Sequence, residues 1–169
     1  RRIYTIYFMD LETREIIEKN IPNSSGSITW ANDNKTIFYN SKDLETLRSD
    51  RVMRYKVGQS GTGEEVYFED DETFSVFSYK TKTDKYIVIG SSATLSQEYR
   101  ILNADNPDGK FKIFQERVNG LEYSISHFKD KWYITTNKDG TTLNEKSALS
   151  QALIDKERKT PTEDTDTTT

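Results

Sequence analysis

The sequence contains no cysteine and a single histidine, His127. Without cysteine there can be no disulfide, no thiolate metal site and no thiol nucleophile. One imidazole alone also makes a transition-metal site improbable. The phosphate-binding pattern G-x-x-x-x-G-K-[ST] and the nucleophile elbow G-x-S-x-G are absent. We therefore expect no catalytic residue, no metal site and no cofactor in this chain.

Long apolar runs are missing as well, and no stretch approaches the roughly 18 apolar residues of a membrane span. Acidic residues outnumber lysine and arginine by 28 to 24, which argues against binding through phosphate neutralisation. The chain opens with RRIYTIYFMD, directly in strand-like alternation and without a visible signal peptide. We expect a cytoplasmic protein that binds neither nucleic acid nor membrane, and the abrupt start suggests a segment of a longer chain.

Aromatic residues, by contrast, are plentiful, with ten Tyr and eight Phe among 169 residues. Such a chain has apolar area to bury, which argues against general disorder. Its length suffices for one domain with a real core, or for part of a larger domain. Tyr, Phe, Ile and Val all favour strands, so the composition favours an all-β structure.

Short extended runs separated by turn residues recur in sets of four. The predicted strands are residues 2–10, 15–21, 28–30, 36–40, 51–57, 65–68, 74–79, 85–90, 98–103, 111–114, 122–128 and 132–137. The centres of successive second strands, Ile37, Ile87 and Ile134, lie roughly 45–50 residues apart, the repeat length of a four-stranded propeller blade. A sandwich or an open meander gives similar spacing and remains an alternative.

The repeat divides the chain into blade-sized parts. Residues 1–25 are predicted to end one blade, 26–72 and 73–120 to form two complete blades, and 121–143 to begin the next. Residues 144–169 break the pattern: 147–159 have the spacing of a short amphipathic helix, and the Thr-rich stretch 160–169 has little to bury. The predicted fold class is therefore all-β, a partial β-propeller of about two complete blades plus parts of flanking blades, followed by a short helix or a disordered tail.

Two side chains invite a catalytic interpretation. His127 lies in a predicted strand beside Phe128, where a lone histidine is usually a packed or surface residue, and we favour that interpretation over a catalytic base. Ser60 lies in the sequence Gly-Gln-Ser-Gly-Thr, in which Thr62 takes the place of the second glycine of a nucleophile elbow. A polar turn explains this segment better.

Charged clusters are the remaining candidates. The acidic stretches 69–72 and 105–109 could attract Ca²⁺, but they lack the spacing of a dedicated calcium loop, and we interpret both as solvated loops. Arg48, Arg51 and Arg54 could clamp a carboxylate or contact a second domain through bidentate pairs. We favour ordinary surface charge for these arginines. No pair of carboxylates stands out as a glycosidase pair.

An ordered set of segments resembles the propeller domain of the prolyl oligopeptidase family, and within it the oligopeptidase B (protease II) branch. The matching segments are residues 30–33, 36–39, 46–48, 51–54, 66–71, 74–76, 86–89, 94–98, 122–124 with His127, and 132–137. The resemblance covers roughly residues 1–143. Tyr55 stands where the family's Arg-His pair would place histidine, and residues 147–169 do not follow the family's next strand.

The resemblance implies a seven-bladed propeller that caps an α/β-hydrolase domain and admits only short peptides to its catalytic Ser, Asp and His. It also implies a parent serine endopeptidase that cleaves after Arg or Lys. Because the catalytic residues belong to the hydrolase domain, the resemblance assigns no site residue to this chain, which should be inactive alone. The expected partners are that domain and short peptides.

Other interpretations remain open. The open sheet edges of an unclosed propeller predict self-association of the isolated chain. The chief alternative function is a free-standing β-propeller that acts as a binding module without enzymatic activity. A third is a glycan-active propeller enzyme, which would need two acids converging in one pocket.

Overall fold

The computed structural model describes residues 2–16 and 20–138, and these residues form an all-β structure. The strands are β1 (Tyr4–Ile6), β2 (Ile21–Trp30), β3 (Thr36–Lys42), β4 (Ser49–Lys56), β5 (Glu64–Phe68), β6 (Ser75–Lys80), β7 (Tyr86–Ser92), β8 (Gln97–Asn103), β9 (Lys112–Gln115), β10 (Tyr123–Phe128) and β11 (Lys131–Thr136). No α-helix occurs in these ranges, and none of their segments is a helix that could span a membrane. The predicted helix and tail lie outside the described residues.

The strands form three antiparallel sheets, in the orders β1-β2-β3-β4-β5, β6-β7-β8-β9 and β10-β11. Every hydrogen-bonded neighbour is also a neighbour in sequence, so each sheet is a simple meander. The three sheets follow one another along the chain without closing into a ring. The fold class predicted from the sequence, all-β with a partial propeller, is confirmed.

The clearest departure from the predicted strands lies near the N-terminus. Residues 2–10 contain only the short β1 and an isolated bridge from Met9 to Ile16. Strand β2 begins at Ile21 and runs through the predicted blade boundary at 25/26. Asn23 and Gly26 have φ values of 62° and 97°, and they accompany a shift in the β2–β3 register. This bulge lets one strand pair with both β1 and β3.

Side-chain alternation gives the central strands two apolar faces. In β7, Ile87 and Ile89 pack with Phe38 of the first sheet, whereas Val88 packs with Trp132 of the third. In β3, the neighbours of Phe38 point the opposite way and pack beneath the N-terminal segment, in a cluster that contains Ile6, Phe8, Ile37, Tyr39 and Tyr55. The sheets are thus stacked face to face, as in neighbouring propeller blades.

The meander places alternate loops at opposite ends of the stack. Residues 43–48, 69–74, 93–96 and 116–122 lie at one end, which we call the upper end. Residues 31–35, 57–63, 81–85, 104–111 and 129–130 lie at the lower end. Because β1 and β3 flank β2 and run in the same direction, the turn at residues 10–14 also belongs to the upper end.

Candidate functional site

A buried ionic cluster joins the first two sheets at the upper end. Glu69, from the loop between β5 and β6, is only 4% exposed. Its carboxylate accepts hydrogen bonds from the Tyr67 hydroxyl at 2.6 Å, from the Ser91 hydroxyl and from Arg117 Nη2 at 2.5 Å. The amide of Asp71 donates to Oε1 at 3.1 Å. Two sheets and three separate chain segments therefore converge on one carboxylate.

Arg117 completes this cluster from the loop between β9 and β10. Its guanidinium carbon lies 3.6 Å from the centroid of the Phe74 ring, a distance typical of a cation–π contact. Its backbone amide donates to Glu98 Oε2 at 3.0 Å. Within residues 2–16 and 20–138, Arg117 Nε is a buried side-chain nitrogen without a hydrogen-bond partner. The arginine is thus held by stacking and by acids on both sides.

The environment keeps Glu69 ionised. Burial by itself raises the pKa of this carboxyl, but the hydrogen bonds from Arg117, Ser91, Tyr67 and the Asp71 amide outweigh burial and lower the pKa to about 2. The interpretation of residues 69–72 as a solvated loop is wrong for Glu69. Because its oxygens are occupied by protein donors, this carboxylate serves as an anchor between sheets.

Two of the three arginines singled out in the sequence bind main-chain carbonyls. Arg48 Nη1 donates to the carbonyls of Glu69, Asp71 and Phe74 at 3.2, 3.1 and 2.9 Å. It thereby fixes the loop that connects the first two sheets. The surface-charge interpretation is wrong for Arg48, whose donors are bound by the protein itself.

Arg54 makes the equivalent connection at the lower end. Its Nη1 donates to the carbonyls of Pro107 and Gly109 at 2.8 and 3.1 Å, in the turn between β8 and β9. The surface-charge interpretation is wrong here too, since Arg54 links the first sheet to the second. Arg51, in contrast, forms a bidentate pair with its sequence neighbour Asp50, with distances of 3.0 and 2.7 Å.

A polar network accompanies Arg54 at the lower end. Asn32 Nδ2 donates to the Asp84 carbonyl at 2.8 Å and to Asp105 Oδ1 at 2.7 Å. Lys80 Nζ donates to Asn32 Oδ1 at 3.1 Å. The acidic turn 105–109 is therefore part of the contact between the first two sheets. In the described part of the chain, no group of three or more His, Cys, Asp and Glu residues could hold a metal ion.

The structure places His127 in an aromatic cluster between the second and third sheets. Its ring lies edge-on to Tyr86 and Trp132, with centroid distances of 4.9 Å to each. Its Nδ1 shares a hydrogen bond of 2.6 Å with the Thr83 hydroxyl. Burial lowers the pKa of the imidazole, and the positive charge of Lys85 lowers it further. This environment favours a neutral, packed histidine.

Ser60 lies in the exposed lower-end turn 57–63, apart from the upper-end cluster.

The convergence of Glu69, Ser91 and Arg117 was not predicted from the sequence. No local motif marks these residues, because the partners are 22 and 48 positions away from Glu69. The charged side chains that the structure brings together thus hold the sheets to each other.

The structure thus consists of meandering sheets that stack face to face and are joined by polar contacts at both ends. This arrangement defines a β-propeller segment. The family described as "Prolyl oligopeptidase, N-terminal beta-propeller domain" matches residues 1–162, and the chain belongs to this family. The match extends beyond residue 143, where the resemblance noted in the sequence ended.

Curated relatives share this segment. Dipeptidyl aminopeptidase BI of Pseudoxanthomonas mexicana is 37% identical over 143 residues, which cover 84% of this chain and 20% of the relative. Protease 2 of Moraxella lacunata is 33% identical over 138 residues, which cover 80% of this chain and 20% of the relative. The chain thus spans about a fifth of the length of these curated relatives.

Solved structures support the same fold. Oligopeptidase B from Leishmania major superimposes with a TM-score of 0.75 at 28% identity, covering 82% of this chain and 20% of that one. Oligopeptidase B from Trypanosoma brucei gives a TM-score of 0.73 at 24% identity, with 82% and 19% of the two chains covered. The predicted relationship to oligopeptidase B is confirmed.

Proposed function

We propose that this segment is the non-catalytic propeller part of a serine oligopeptidase. In this proposal the parent protein carries a separate α/β-hydrolase domain that hydrolyses peptide bonds after Arg or Lys. The propeller restricts access to that domain, so that only short peptides reach the catalytic serine. The segment contributes packing and access control and no catalytic group.

One observation carries this proposal. The chain is 33% identical to a relative named Protease 2, yet it spans only a fifth of that relative's length. Within the described residues, the charged side chains that cluster at the ends of the sheets bind one another and main-chain carbonyls. In this proposal such a segment contributes to the peptidase as a rigid barrier that restricts access of substrates to the catalytic domain.

The direct test uses the full-length parent and the 169-residue chain side by side. The parent should release the fluorophore from short N-blocked reporter peptides with Arg or Lys before the scissile bond, and a serine-directed inhibitor should abolish the activity. The 169-residue chain should be inactive. Turnover by the purified chain, if sensitive to the same inhibitor, would contradict the proposal.

Access control needs its own measurement. The parent should cleave a short reporter but leave the same sequence intact when it lies within a folded protein. Equal cleavage of both substrates would retain the peptidase assignment and reject the gating role. A scissile sequence placed in an unstructured long peptide separates a size limit from the effect of substrate folding.

A second candidate follows from the name of another relative. The chain is 37% identical over 143 residues to a dipeptidyl aminopeptidase, so the parent could instead release dipeptides from free N-termini. Reporters with a free dipeptide amine and their N-acetylated counterparts distinguish the two activities. Endopeptidase action is unaffected by acetylation, whereas dipeptidyl aminopeptidase action is lost.

A binding module without catalysis is the remaining alternative. An α/β pattern with G-x-S-x-G in the downstream reading frame of the parent gene supports the peptidase, whereas further blades alone support the module. In either case β5 and β9 are edge strands of the described sheets, each hydrogen-bonded to a neighbouring strand on one side only. We expect them to drive self-association, and sedimentation of a monomer at high concentration would argue against this expectation.

A further inference from the structure

The loop between β9 and β10 contains the only Asn-Gly pair of the sequence, Asn119 and Gly120. Both residues are exposed. In such a pair the main-chain nitrogen of glycine can attack the side-chain carbonyl carbon of the preceding asparagine, because glycine has no side chain that hinders the approach. The loop therefore holds the two groups that a spontaneous modification of asparagine requires.

A tight turn fixes the backbone of this pair. The amide of Leu121 donates to the Val118 carbonyl at 3.1 Å. Gly120 has φ of 79°, whereas the φ of Asn119 is not positive. These features define a type II turn, in which the first central residue is extended, with ψ near about +120°. This conformation turns the glycine nitrogen away from the Asn119 side chain, so the turn must open before the two groups can react.

A hydrogen bond to the second sheet holds the attacking nitrogen. The amide of Gly120 donates to Ser96 Oγ at 3.2 Å, and Ser96 is only 7% exposed. Ser96 is itself held in its loop, because its carbonyl accepts a hydrogen bond from the Ala93 amide at 2.9 Å. Rotation of the Gly120 nitrogen toward Asn119 breaks the bond to Ser96. The Ser96 hydroxyl therefore opposes the reaction.

The chain that follows the amide of Gly120 is bound separately. Asn137 Nδ2 donates to the Gly120 carbonyl at 2.9 Å, and Asn137 Oδ1 accepts from the Glu122 amide at 3.0 Å. The carbonyl of Leu121 accepts from the Gln97 amide at 3.3 Å. These contacts restrain the carbonyl side of the pair, whereas the Ser96 hydroxyl is the partner of the reacting nitrogen.

The reacting side chain has room to move. Among the residues that the structure describes, none forms a hydrogen bond with the Asn119 side chain. A Cβ built at Gly120 would meet nothing within 4 Å, so open space surrounds the glycine. Once the bond to Ser96 opens, neither packing nor a competing partner of Asn119 prevents the attack.

We propose that Asn119 is a site of spontaneous deamidation whose rate is controlled by the hydrogen bond from Gly120 to Ser96. The Gly120 nitrogen forms a bond to Cγ of Asn119, and its proton leaves with the side-chain amine as ammonia. Water then opens the resulting succinimide ring at either carbonyl, which gives aspartate or isoaspartate at position 119. This inference goes beyond the proposed function and does not depend on it.

Both products alter the surroundings of the Glu69–Arg117 pair. Each places a new carboxylate in the groove that Asn119 lines together with Asp71 and Arg117. Isoaspartate also adds the Cβ atom of residue 119 to the main chain, between Arg117 and the part of the loop that Asn137 binds. The modification thus acts on the loop that connects the second and third sheets.

Timed incubation of the full-length parent at mildly alkaline pH tests the site, with a serine-directed inhibitor present to prevent self-digestion. Trypsin cleavage after Arg117 and Lys129 releases residues 118–129, in which Asn119 has the only side-chain amide. A mass gain of this peptide, or its isoaspartate-specific methylation, therefore reports residue 119. Conversion should be slower in the folded parent than in the parent unfolded by guanidinium chloride. Equal rates, or no conversion of the unfolded parent, would overturn the inference.

Variants at Ser96 test the controlling hydrogen bond. Ser96→Ala removes the acceptor and should accelerate conversion roughly two- to tenfold, the factor that one neutral hydrogen bond supplies. Ser96→Thr keeps a hydroxyl and should convert more slowly than Ser96→Ala. The matched control is Thr94→Ala, which removes an exposed hydroxyl from the same loop and should keep the wild-type rate. A wild-type rate in Ser96→Ala would overturn the inference.

A second pair separates local opening from general destabilisation. Asp108 and Gly109, at the lower end, can form the same ring with loss of water, and the Gly109 amide donates to the Asn106 carbonyl at 3.1 Å. Isoaspartate formation at Asp108 is read from the tryptic peptide 101–110, and Ser96→Ala should leave it unchanged. Equal acceleration at both pairs would show that Ser96→Ala loosens the whole fold, and it would overturn the specific role of Ser96.

Discussion

Arg117 and Glu69 are 48 positions apart in the sequence, and their side chains meet with Nη2 2.5 Å from Oε2. The pair fastens the loop after the first sheet to the loop after the second. Glu69 is buried and Arg117 is partly buried, so removal of the arginine would leave the Glu69 charge in a poorly solvated position.

Replacement of Arg117 by methionine should therefore destabilise the fold strongly. Methionine keeps much of the apolar stem over Phe74 but leaves the Glu69 carboxylate without its cation, which we expect to lower the free energy of unfolding by about 3 kcal/mol. Urea denaturation measures the change. Lys85→Met is the matched control, because Lys85 and Asp130 form an ion pair on the exposed surface, and it should leave the urea midpoint unchanged.

The stability of the fold should also depend on pH through Glu69. Its folded pKa of about 2 lies below the ordinary value of 4.5, so its contribution is complete above pH 4.5 and is lost as the pH falls toward 2. The wild-type advantage over Glu69→Gln should shrink across this window by at most about 1.4 kcal/mol per pH unit. Urea titrations at several pH values test this, and an advantage independent of pH would contradict it.

His127 offers a second titration that can be followed without ambiguity. It is the only histidine in the chain, so a single imidazole should appear in NMR spectra. Burial and then the charge of Lys85 lower its pKa from 6.5, although Asp130 opposes this. The folded imidazole should thus titrate below 6.5, and Lys85→Met should raise the midpoint. A midpoint at or above 6.5 in the wild type would show that the ring is solvated.

The lowered pKa of His127 also makes the stability of the fold depend on pH. Below pH 6.5 the unfolded chain binds a proton at His127 before the folded chain does, so the free energy of unfolding should decline as the pH falls through this region. His127→Phe removes the titrating group and should remove this part of the decline. Thermal unfolding between pH 7.5 and 5.5, values chosen to lie roughly one unit on either side of the ordinary pKa, measures the difference.

Two glycines in one turn should respond differently to alanine. Gly61 and Gly63 both have positive φ, 80° and 100°. A Cβ at Gly61 would meet nothing within 4 Å, whereas a Cβ at Gly63 would lie 2.3 Å from the Arg54 carbonyl oxygen. Gly61→Ala should cost about 1 kcal/mol for the backbone conformation alone, and Gly63→Ala clearly more. Equal urea midpoints for the two variants would contradict this account.

Much of the fold could be predicted because strands and turns are locally encoded. The predicted strand at 36–40 corresponds to β3, and the one at 98–103 corresponds to β8, since each combines β-favouring residues with flanking turn residues. The first half of strand β2 was not predicted. Pro22 and Gly26 normally mark turns, and here a bulge accommodates them within a strand.

The contacts between sheets could not be predicted from the sequence. Arg48 and Arg54 were recognisable as an arginine-rich segment, but their acceptors are carbonyls, which carry no sequence signature. Glu69 looked like one of four acids in a loop, and only the folded chain distinguishes it as the buried one. Family resemblance identified the architecture, while the particular polar links depend on long-range geometry.

The two-faced strand β7 has a consequence for how the chain loses its structure. Ile87 and Ile89 belong to one apolar cluster and Val88 to the next. The middle sheet therefore shares each of its apolar faces with a neighbouring sheet and has no separate hydrophobic core. Such an array behaves like a one-dimensional chain of coupled units, in which each unit is stabilised chiefly by its nearest neighbours. Unfolding should therefore start at an outer sheet and advance inward. A destabilising substitution in β7 should weaken the packing against the first and the third sheet together.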